Sequence, residues 1–363
     1  MTVGEKFAYL AGLLDGDGYL KIVKSRFHER LNYQIQIGIQ QLWPGEAVLL
    51  FAQTFGGNMK PMVWPGHRTI ARCELHSRRA AAALSQLSPY FLVKREQSLL
   101  LLELGKLKAQ PKEGRFPYSF VNHGGVRITR SRPCPSVDQL ARMDRLRSLL
   151  IALHDGGQAA LDVECDYEVS KCGPRIPWTR EETLAYLAGI MDSDGSFRVV
   201  KKRVSEMLSP HYRINIRAAQ VAPSPAIELL AWTFGGKMAI RRSRKPNHRD
   251  LVSWGLHDRS AAAAINVLYP YLVVKKHEAE LLLELRQLKA QGKKGITEWV
   301  HANRWHPSVT MRKRCYTQDQ VAEFERIHLE VQALHSGRSA THCQNDPLPI
   351  QHPEEKQSIE SEG

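Results

Sequence analysis

The segment Ala8–Gly18 reads AYLAGLLDGDG, and a near copy, AYLAGIMDSDG, returns at Ala185–Gly195. Each copy is predicted to form a short apolar helix that ends in an acidic turn. Ala8, Ala11 and Gly12 lie on one helical face because they are spaced by three or four residues. Small residues on one face let two helix backbones approach closely, so we expect the two copies to pack on each other.

The acidic turns predict a metal site. Packing of the helices would bring Asp17 and Asp194 together at helix C-termini, where the backbone already carries partial negative charge. Two carboxylates repel each other there unless divalent cations lie between them, and oxygen ligands suit Mg²⁺ or Ca²⁺. The pair therefore indicates metal-assisted phosphodiester hydrolysis. A single Asp-x-Asp-Gly is more simply read as a turn, and the second copy in a matched context favours the metal site.

The repeat extends over most of the chain. Thr54–Gly57 (TFGG) returns at Thr233–Gly236, and Pro89–Lys94 (PYFLVK) returns at Pro270–Lys275 (PYLVVK). Two large units with one period indicate a pseudo-two-fold protein rather than a solenoid. The predicted divisions are an N-terminal unit at 1–154, a linker at 155–178, a C-terminal unit at 179–335 and a disordered acidic tail at 336–363.

Each unit is predicted to be α+β, with the element order αββαββα and a four-stranded antiparallel sheet. The second strand of each unit alternates polar and apolar residues, which predicts a half-buried strand with one polar face. Ser136-x-x-Gln139 and Thr317-x-x-Gln320 each resemble a capping box, which predicts the start of the last helix in each unit.

A polar sheet face is suited to nucleic acid. A two-stranded ribbon fits the major groove of DNA, where Gln and Asn pair with adenine and Arg pairs with guanine. The candidate contacts in the first unit are Lys21, Val23, Ser25, Asn32, Gln34, Gln36, Gly38, Lys60, Arg68 and Arg72. Those in the second unit are Arg198, Val200, Lys202, His211, Arg213, Asn215, Arg217, Arg241 and Arg249. The two sets differ, so we expect an asymmetric target, although any single member is equally well explained as a solvated surface residue.

Charge and composition agree with a nucleic-acid partner. The 363 residues carry a formal net charge of +14, which favours a polyanion, although charge also serves solubility. The six cysteines form no CxxC pair, so we expect free thiols in a reducing compartment. We expect no membrane span and no signal peptide, because apolar runs are short and the first is interrupted by Asp15 and Asp17.

Leu10–Gly18 (LAGLLDGDG) and Leu187–Gly195 (LAGIMDSDG) resemble the LAGLIDADG motif of homing endonucleases, and the resemblance covers both repeats, residues 1 to about 335. It implies a single-chain, two-repeat protein whose motif helices pack together and whose two saddle-shaped sheets lie in successive major grooves. Such a protein cuts both strands across the intervening minor groove and leaves 3′ overhangs. The implied cofactor is Mg²⁺, with Ca²⁺ or Mn²⁺ as substitutes.

The same resemblance implies roles for individual residues. It assigns Asp17 and Asp194 as metal ligands, joined by the main-chain carbonyls of Gly16 and Ser193, and leaves Asp15 and Asp192 with structural roles. A Gln at the end of strand 2 and a Lys after the Pro-aromatic turn lie near the metal-bound waters in this family. The matching residues are Gln41, Gln220, Lys94 and Lys275. A basic residue that some relatives carry one turn after the Gln is missing, since Gly45 and Ser224 fall there.

Two functions stay open at this stage. The first is a monomeric endonuclease for double-stranded DNA, which both intact acidic turns favour. The second is a non-cleaving nucleic-acid binder, either a maturase for group I intron RNA or a transcriptional regulator. In both cases we expect an intracellular protein, in a bacterial cytoplasm or in a chloroplast or mitochondrion.

Overall fold

The computed structural model describes residues 1–27, 30–112, 114–121, 127–154, 176–202, 210–243, 249–295, 297–303 and 306–336. The first repeat contains α1 Val3–Asp17, β1 Gly18–Phe27, β2 Arg30–Leu42, α2 Glu46–Phe55, β3 Met59–Met62, β4 Ile70–His76, α3 Ser77–Leu87, α4 Arg95–Ala109, β5 Gly114–Val121, β6 Arg127–Cys134 and α5 Val137–His154. The second contains α6 Arg180–Ser193, β7 Gly195–Lys202, β8 His211–Val221, α7 Pro225–Phe234, β9 Lys237–Arg241, β10 Leu251–His257, α8 Asp258–Leu268, α9 Lys276–Ala290, β11 Thr297–Asn303, β12 His306–Arg314 and α10 Gln318–Ser336.

The predicted α+β class and the two four-stranded antiparallel sheets are confirmed. Their strand orders are β1-β2-β4-β3 and β7-β8-β10-β9. In the first sheet, alternate residues such as Leu20, Tyr33, Ile35 and Ile37 are buried, so the apolar face supports the core and the polar face lies opposite.

Two hairpins, β5–β6 and β11–β12, were not predicted. The sequence pattern predicts only helices between the fourth strand and the end of each repeat. Pro117 and Pro133 lie inside β5 and β6, and such prolines weaken a strand signal. A two-stranded hairpin tolerates them because each strand has a free edge.

Packing follows a different division from the repeats. One compact unit is formed by Met1–Val200 and Arg213–Gly292, and it holds both motif helices. A second unit contains the described residues of Lys201–Tyr212 and those from Lys293 to Ser336. The predicted repeat boundaries stay a prediction. The predicted linker before residue 176 and the predicted tail after residue 336 lie outside the described residues.

The helices α1 and α6 pack on each other, as their small-residue faces predict. A side chain at Gly12 would overlap the carbonyl oxygen of Tyr186, and one at Gly189 would overlap the carbonyl oxygen of Tyr9. Each helix begins at a capping box: Thr2 with Glu5 starts α1, and Thr179 with Glu182 starts α6. None of the described helices is long and apolar enough to span a membrane.

Candidate active site and nucleic-acid interface

The first acidic residue of each motif holds the turn that leads into a helix of its own repeat. The Asp15 carboxylate accepts backbone N–H bonds from Leu92, Val93 and Lys94 at 2.8–3.0 Å, immediately before α4. Asp192 accepts the equivalent three bonds, at 2.8–3.0 Å, from residues 273–275 before α9. These bonds satisfy backbone N–H groups of the turn that leads into the helix, and only the third donor of each set, Lys94 or Lys275, is the N-cap residue. These contacts agree with the structural role expected for both residues.

The second acidic residue of each motif faces the helix interface. A side chain at Gly16 would lie 2.9 Å from Asp194 Oδ2, so the ends of α1 and α6 bring the two acidic turns together. Gln41 Nε2 donates to Asp17 Oδ2 at 3.3 Å, and Gln220 Nε2 donates to Asp194 Oδ2 at 2.7 Å. Each carboxylate therefore has its own amide partner from strand β2 or β8.

The electrostatics of this pair favour a cation. Burial raises the pKa of Asp17, and the negative charge of Asp194 raises it further, while the hydrogen bond from Gln41 opposes both. Burial likewise raises the pKa of Asp194. The hydrogen bond from Gln220 and the positive charges of Lys94 and Lys275 oppose that rise. Two partly buried carboxylates with raised pKa values gain stability from positive charge placed between them.

Lys94 and Lys275 close the ends of the motif helices. The Lys94 ammonium donates to the carbonyl oxygens of Leu14, Asp15 at 2.9 Å and Gly16 at 3.3 Å. The Lys275 ammonium makes the equivalent bonds to residues 191–193 at 2.6–3.2 Å. Burial lowers the pKa of both amines, and nearby aspartates oppose that shift. The three N–H groups of each ammonium all donate to carbonyl oxygens. Each lysine therefore supplies positive charge but has no N–H group left for a further hydrogen bond.

The donor atoms of this site fit a hard divalent cation. Asp17 and Asp194 offer carboxylate oxygens, and Gly16 and Ser193 offer carbonyl oxygens that keep one lone pair beside their lysine bonds. In the described part of the chain, no cluster of three His, Cys, Asp or Glu side chains could hold a metal by itself. Backbone, water and phosphate oxygens are suitable further ligands for such a cation.

The first sheet places its predicted contacts on one face. Lys21 pairs with Gln36, Val23 with Gln34, and Ser25 with Asn32. Lys60 lies opposite Arg72 on the adjoining strands. Arg68 lies in the loop between β3 and β4 and not on a strand, because β3 ends at Met62.

Tyr19 and Glu74 belong to the same polar face and were missed. Glu74 accepts hydrogen bonds from Tyr19, Arg72 and, at 2.6 Å, Gln36. The Tyr19 ring covers Gly38, whose missing side chain makes room for it. Although burial raises the pKa of Glu74, bonds from Tyr19 and Arg72 lower it overall. The missed signal was alternation: Tyr19 is two residues before Lys21, and Glu74 is two after Arg72.

The second sheet presents a different set. Arg217 lies across Gly255, which also pairs with Lys237, a residue absent from the prediction. Asn215 follows the polar alternation but is buried, and its Oδ1 has no partner among the described atoms. Arg241 is exposed on β9, opposite Leu251.

The other predicted DNA contacts of the second sheet either bond to protein groups or lie near the ends of strands. Arg213 forms a 3.2 Å ion pair with Asp258. Arg249 precedes β10, so it is not on a strand, and it donates to the carbonyl oxygen of His154. Arg198 and Val200 alternate with the buried residues Phe197 and Val199 on β7. Lys202 is the last residue of β7, and His211 is the first residue of β8.

Solved structures share this fold. That of the I-SmaMI LAGLIDADG homing endonuclease bound to cleaved DNA matches over 92% of this chain and 97% of that chain, with a TM-score of 0.59 and 15% identity. The structure of the LAGLIDADG meganuclease I-AabMI bound to uncleaved DNA matches over 89% of this chain and 98% of that chain, with a TM-score of 0.56 and 14% identity. The structure of the LAGLIDADG homing endonuclease I-GzeII in complex with its DNA target matches over 89% of this chain and 97% of that chain, with a TM-score of 0.51 and 13% identity.

The chain has the fold of the LAGLIDADG homing endonucleases. The resemblance carried by the two motifs is thus confirmed for the fold over most of the chain. No protein-family profile matches the sequence, and no curated protein matches it either. At about 15% identity the LAGLIDADG likeness establishes the architecture, and the roles of individual residues rest on the geometry described above.

Proposed function

We propose that the protein is a LAGLIDADG homing endonuclease that makes a double-strand break in a long, asymmetric DNA site. One observation carries the proposal: Asp17 and Asp194 lie at adjoining ends of the packed motif helices, each with its own Gln and Lys. A non-cleaving binder has no need of two partly buried carboxylates with raised pKa values.

The sheets supply the DNA surface in this proposal. Their polar faces carry Lys, Arg, Gln and Asn side chains, which hydrogen-bond to base edges and phosphates. The two faces differ in sequence: Gln34 on β2 corresponds to Arg213 on β8, and Gly38 to Arg217. A protein with unlike halves reads an asymmetric site, and one chain contains both halves, so we expect a monomer.

The chemistry is hydrolysis of one phosphodiester bond in each strand, leaving 3′ overhangs. Asp17 and Asp194, with the carbonyls of Gly16 and Ser193, would hold Mg²⁺, and Ca²⁺ or Mn²⁺ would fit the same oxygens. The I-SmaMI protein bound to uncleaved DNA was solved with calcium ions, which supports a divalent cation. A bound cation supplies positive charge for the phosphate and lowers the pKa of water.

The remaining roles fall to this chain's own side chains. Gln41 and Gln220 hold the carboxylates in place and bring an amide close to where a water would attack. Lys94 and Lys275 neutralise the negative helix ends, so that a phosphate is not repelled. Because all N–H groups of the two ammonium groups already donate to carbonyl oxygens, we expect both lysines to act on the phosphate through their charge and not through a direct hydrogen bond.

Cleavage of a randomised duplex library with Mg²⁺ tests this proposal. We expect one long asymmetric site with short 3′ overhangs, followed by loss of cutting and retention of binding in Asp17→Asn and Asp194→Asn. Asp144→Asn is the matched control, because Asp144 is an exposed carboxylate paired with Lys24. Specific DNA retention without cut ends would support a regulator instead. Selection of intron RNA over duplex DNA would support a maturase.

A further inference from the structure

The two catalytic halves differ in how they hold the glutamine amide. The Nε2 group of Gln41 donates to Asp17, and the Nε2 group of Gln220 donates to Asp194. Because a carboxylate only accepts hydrogen bonds, these contacts fix which end of each amide faces the aspartate. In both halves the amide oxygen, Oε1, therefore needs a donor of its own.

Only one half supplies that donor. The hydroxyl of Ser224 donates to Gln220 Oε1, and the same hydroxyl oxygen accepts the N–H of Ile227 at 3.3 Å, at the start of α7. Ser224 is therefore fixed from both sides and is almost fully buried. In the other half, Gln41 Oε1 is buried and has no hydrogen-bond partner among the described atoms.

The difference is built into the backbone. Gly45, four residues after Gln41, occupies the position that Ser224 takes four residues after Gln220. Gly45 has a φ of +67°, in the left-handed region, and a side chain there would overlap Ala71. The first half is thus closed to a serine at this position, whereas Ser224 has an extended backbone with φ −133°.

We propose that Ser224 is a positioning residue that holds the Gln220 amide toward Asp194, so that the two DNA strands are cut at unequal rates. The DNA strand that is cut at the Asp194 site is cut first, because both ends of the Gln220 amide are held by hydrogen bonds. The DNA strand that is cut at the Asp17 site follows, because the Gln41 amide is held at its Nε2 end only and its buried Oε1 has no donor among the described atoms. This inference rests on the proposed endonuclease function.

Two variants at one position separate positioning from folding. Ser224→Gly removes the hydroxyl and copies Gly45, and glycine is tolerated at a helix N-cap almost as well as serine. Ser224→Thr keeps the hydroxyl. Ser136→Gly removes the equivalent N-cap hydroxyl of α5, which contacts Gln139 and not the site, so it controls for loss of a cap.

The measurement is the single-turnover rate constant of each strand, with Mg²⁺ and a duplex of the selected site labelled separately on its two strands. We expect the wild-type constants to differ by about threefold or more, and Ser224→Gly to lower only the faster one toward the slower. Ser224→Thr and Ser136→Gly should keep the wild-type ratio.

Three results would overturn the inference. Equal strand rates in the wild type would remove the asymmetry, and equal slowing of both strands in Ser224→Gly would assign Ser224 a general structural role. If Ser136→Gly changed the ratio as much as Ser224→Gly, cap loss alone would explain the effect. A wild-type protein that binds its site but cuts neither strand would instead overturn the proposed function, and this inference with it.

Discussion

Tyr186 donates its hydroxyl to the Asp15 carboxylate at 2.7 Å, and the two residues belong to different motif helices. The reciprocal bond joins Tyr9 to Asp192 at 2.8 Å. Each aspartate also holds the turn before a helix of its own repeat, so one buried carboxylate ties together three helices. These buried hydrogen bonds of the helix interface thus support the structure around Asp17 and Asp194.

We expect Tyr186→Phe to lower the free energy of unfolding by about 1–3 kcal/mol, because a buried carboxylate loses a donor. Chemical denaturation measures the loss. Tyr90→Phe is the control, since its hydroxyl bonds Glu182 at 2.8 Å where water can replace it. Equal losses in the two variants would contradict the argument.

Gly12 decides how closely the motif helices approach. A side chain at Gly12 would overlap the Tyr186 carbonyl oxygen, so Gly12→Ala must separate the helices. We expect it to cost about 3 kcal/mol in unfolding free energy, at the upper end of the usual range for overpacking.

The matched control is Gly105→Ala within α4. There a side chain would make ordinary contacts of 3.5 Å with Ile35 and 3.7 Å with Ala81. Because glycine is a poor residue for a helix interior, this variant should gain about 0.5–1 kcal/mol. If Gly12→Ala were as stable as the wild type, the close-packed interface would be wrong.

The sequence predicted features that depend on local periodicity. The motif helices, the polar strands and the capping boxes at Ser136 and Thr317 all follow from spacing within a few residues. The hairpin β5–β6 was missed although Phe116, Tyr118 and Phe120 alternate along it, because Pro117 interrupts the strand signal.

Features that depend on pairing across the chain were harder to predict. The burial of Gly38 under Tyr19 requires the register of β1 with β2, which the sequence alone does not provide. The lysines show the same limit. Lys94 and Lys275 were predicted at the site, but their bonds to three carbonyls each follow from the placement of the helix ends.

Asp258 provides a pH-dependent contribution to stability. It has a φ of +47° and pairs with Arg213 and Lys289, each at 3.2 Å. Burial raises its pKa, but the two cations more than offset this, so the net pKa is lowered. A carboxylate with a lowered pKa in the folded state stabilises the protein above its unfolded pKa of about 3.9. That contribution is lost as the pH falls through the folded value.

We expect Asp258→Asn to cost about 1 kcal/mol or less at about pH 7, and less at about pH 3, because protonation of Asp258 at low pH removes the charge that the two cations stabilise. Urea titrations at the two pH values measure this difference. Ser77→Asn is the control, because Ser77 has φ +51° at the equivalent helix start and no charge to lose. A cost that does not change with pH would show that backbone strain, not charge, explains the effect.

Glu74 is an acidic residue on a surface that we propose binds DNA, and it holds Arg72 through their ion pair. Glu74→Gln keeps the shape but removes the charge that fixes Arg72. We expect affinity for scrambled duplex DNA to rise, because one repulsive charge is lost. Discrimination at one base pair should fall by about 1–3 kcal/mol, because a freed arginine no longer presents a fixed fork to guanine.

Binding of the selected site and of a scrambled duplex, each at two salt concentrations, measures both effects of Glu74→Gln. Glu103→Gln is charge-matched and lies on α4, where Glu103 pairs with Arg142 at 3.8 Å. Helix α4 packs against the apolar side of the first sheet, where Gly105 faces buried Ile35. Because Glu103 therefore lies on the side opposite the polar face, its loss should raise affinity for both duplexes equally and leave discrimination intact. If the two variants behaved alike, net charge would explain the result, and the fixed geometry of Arg72 would have no part in reading the site.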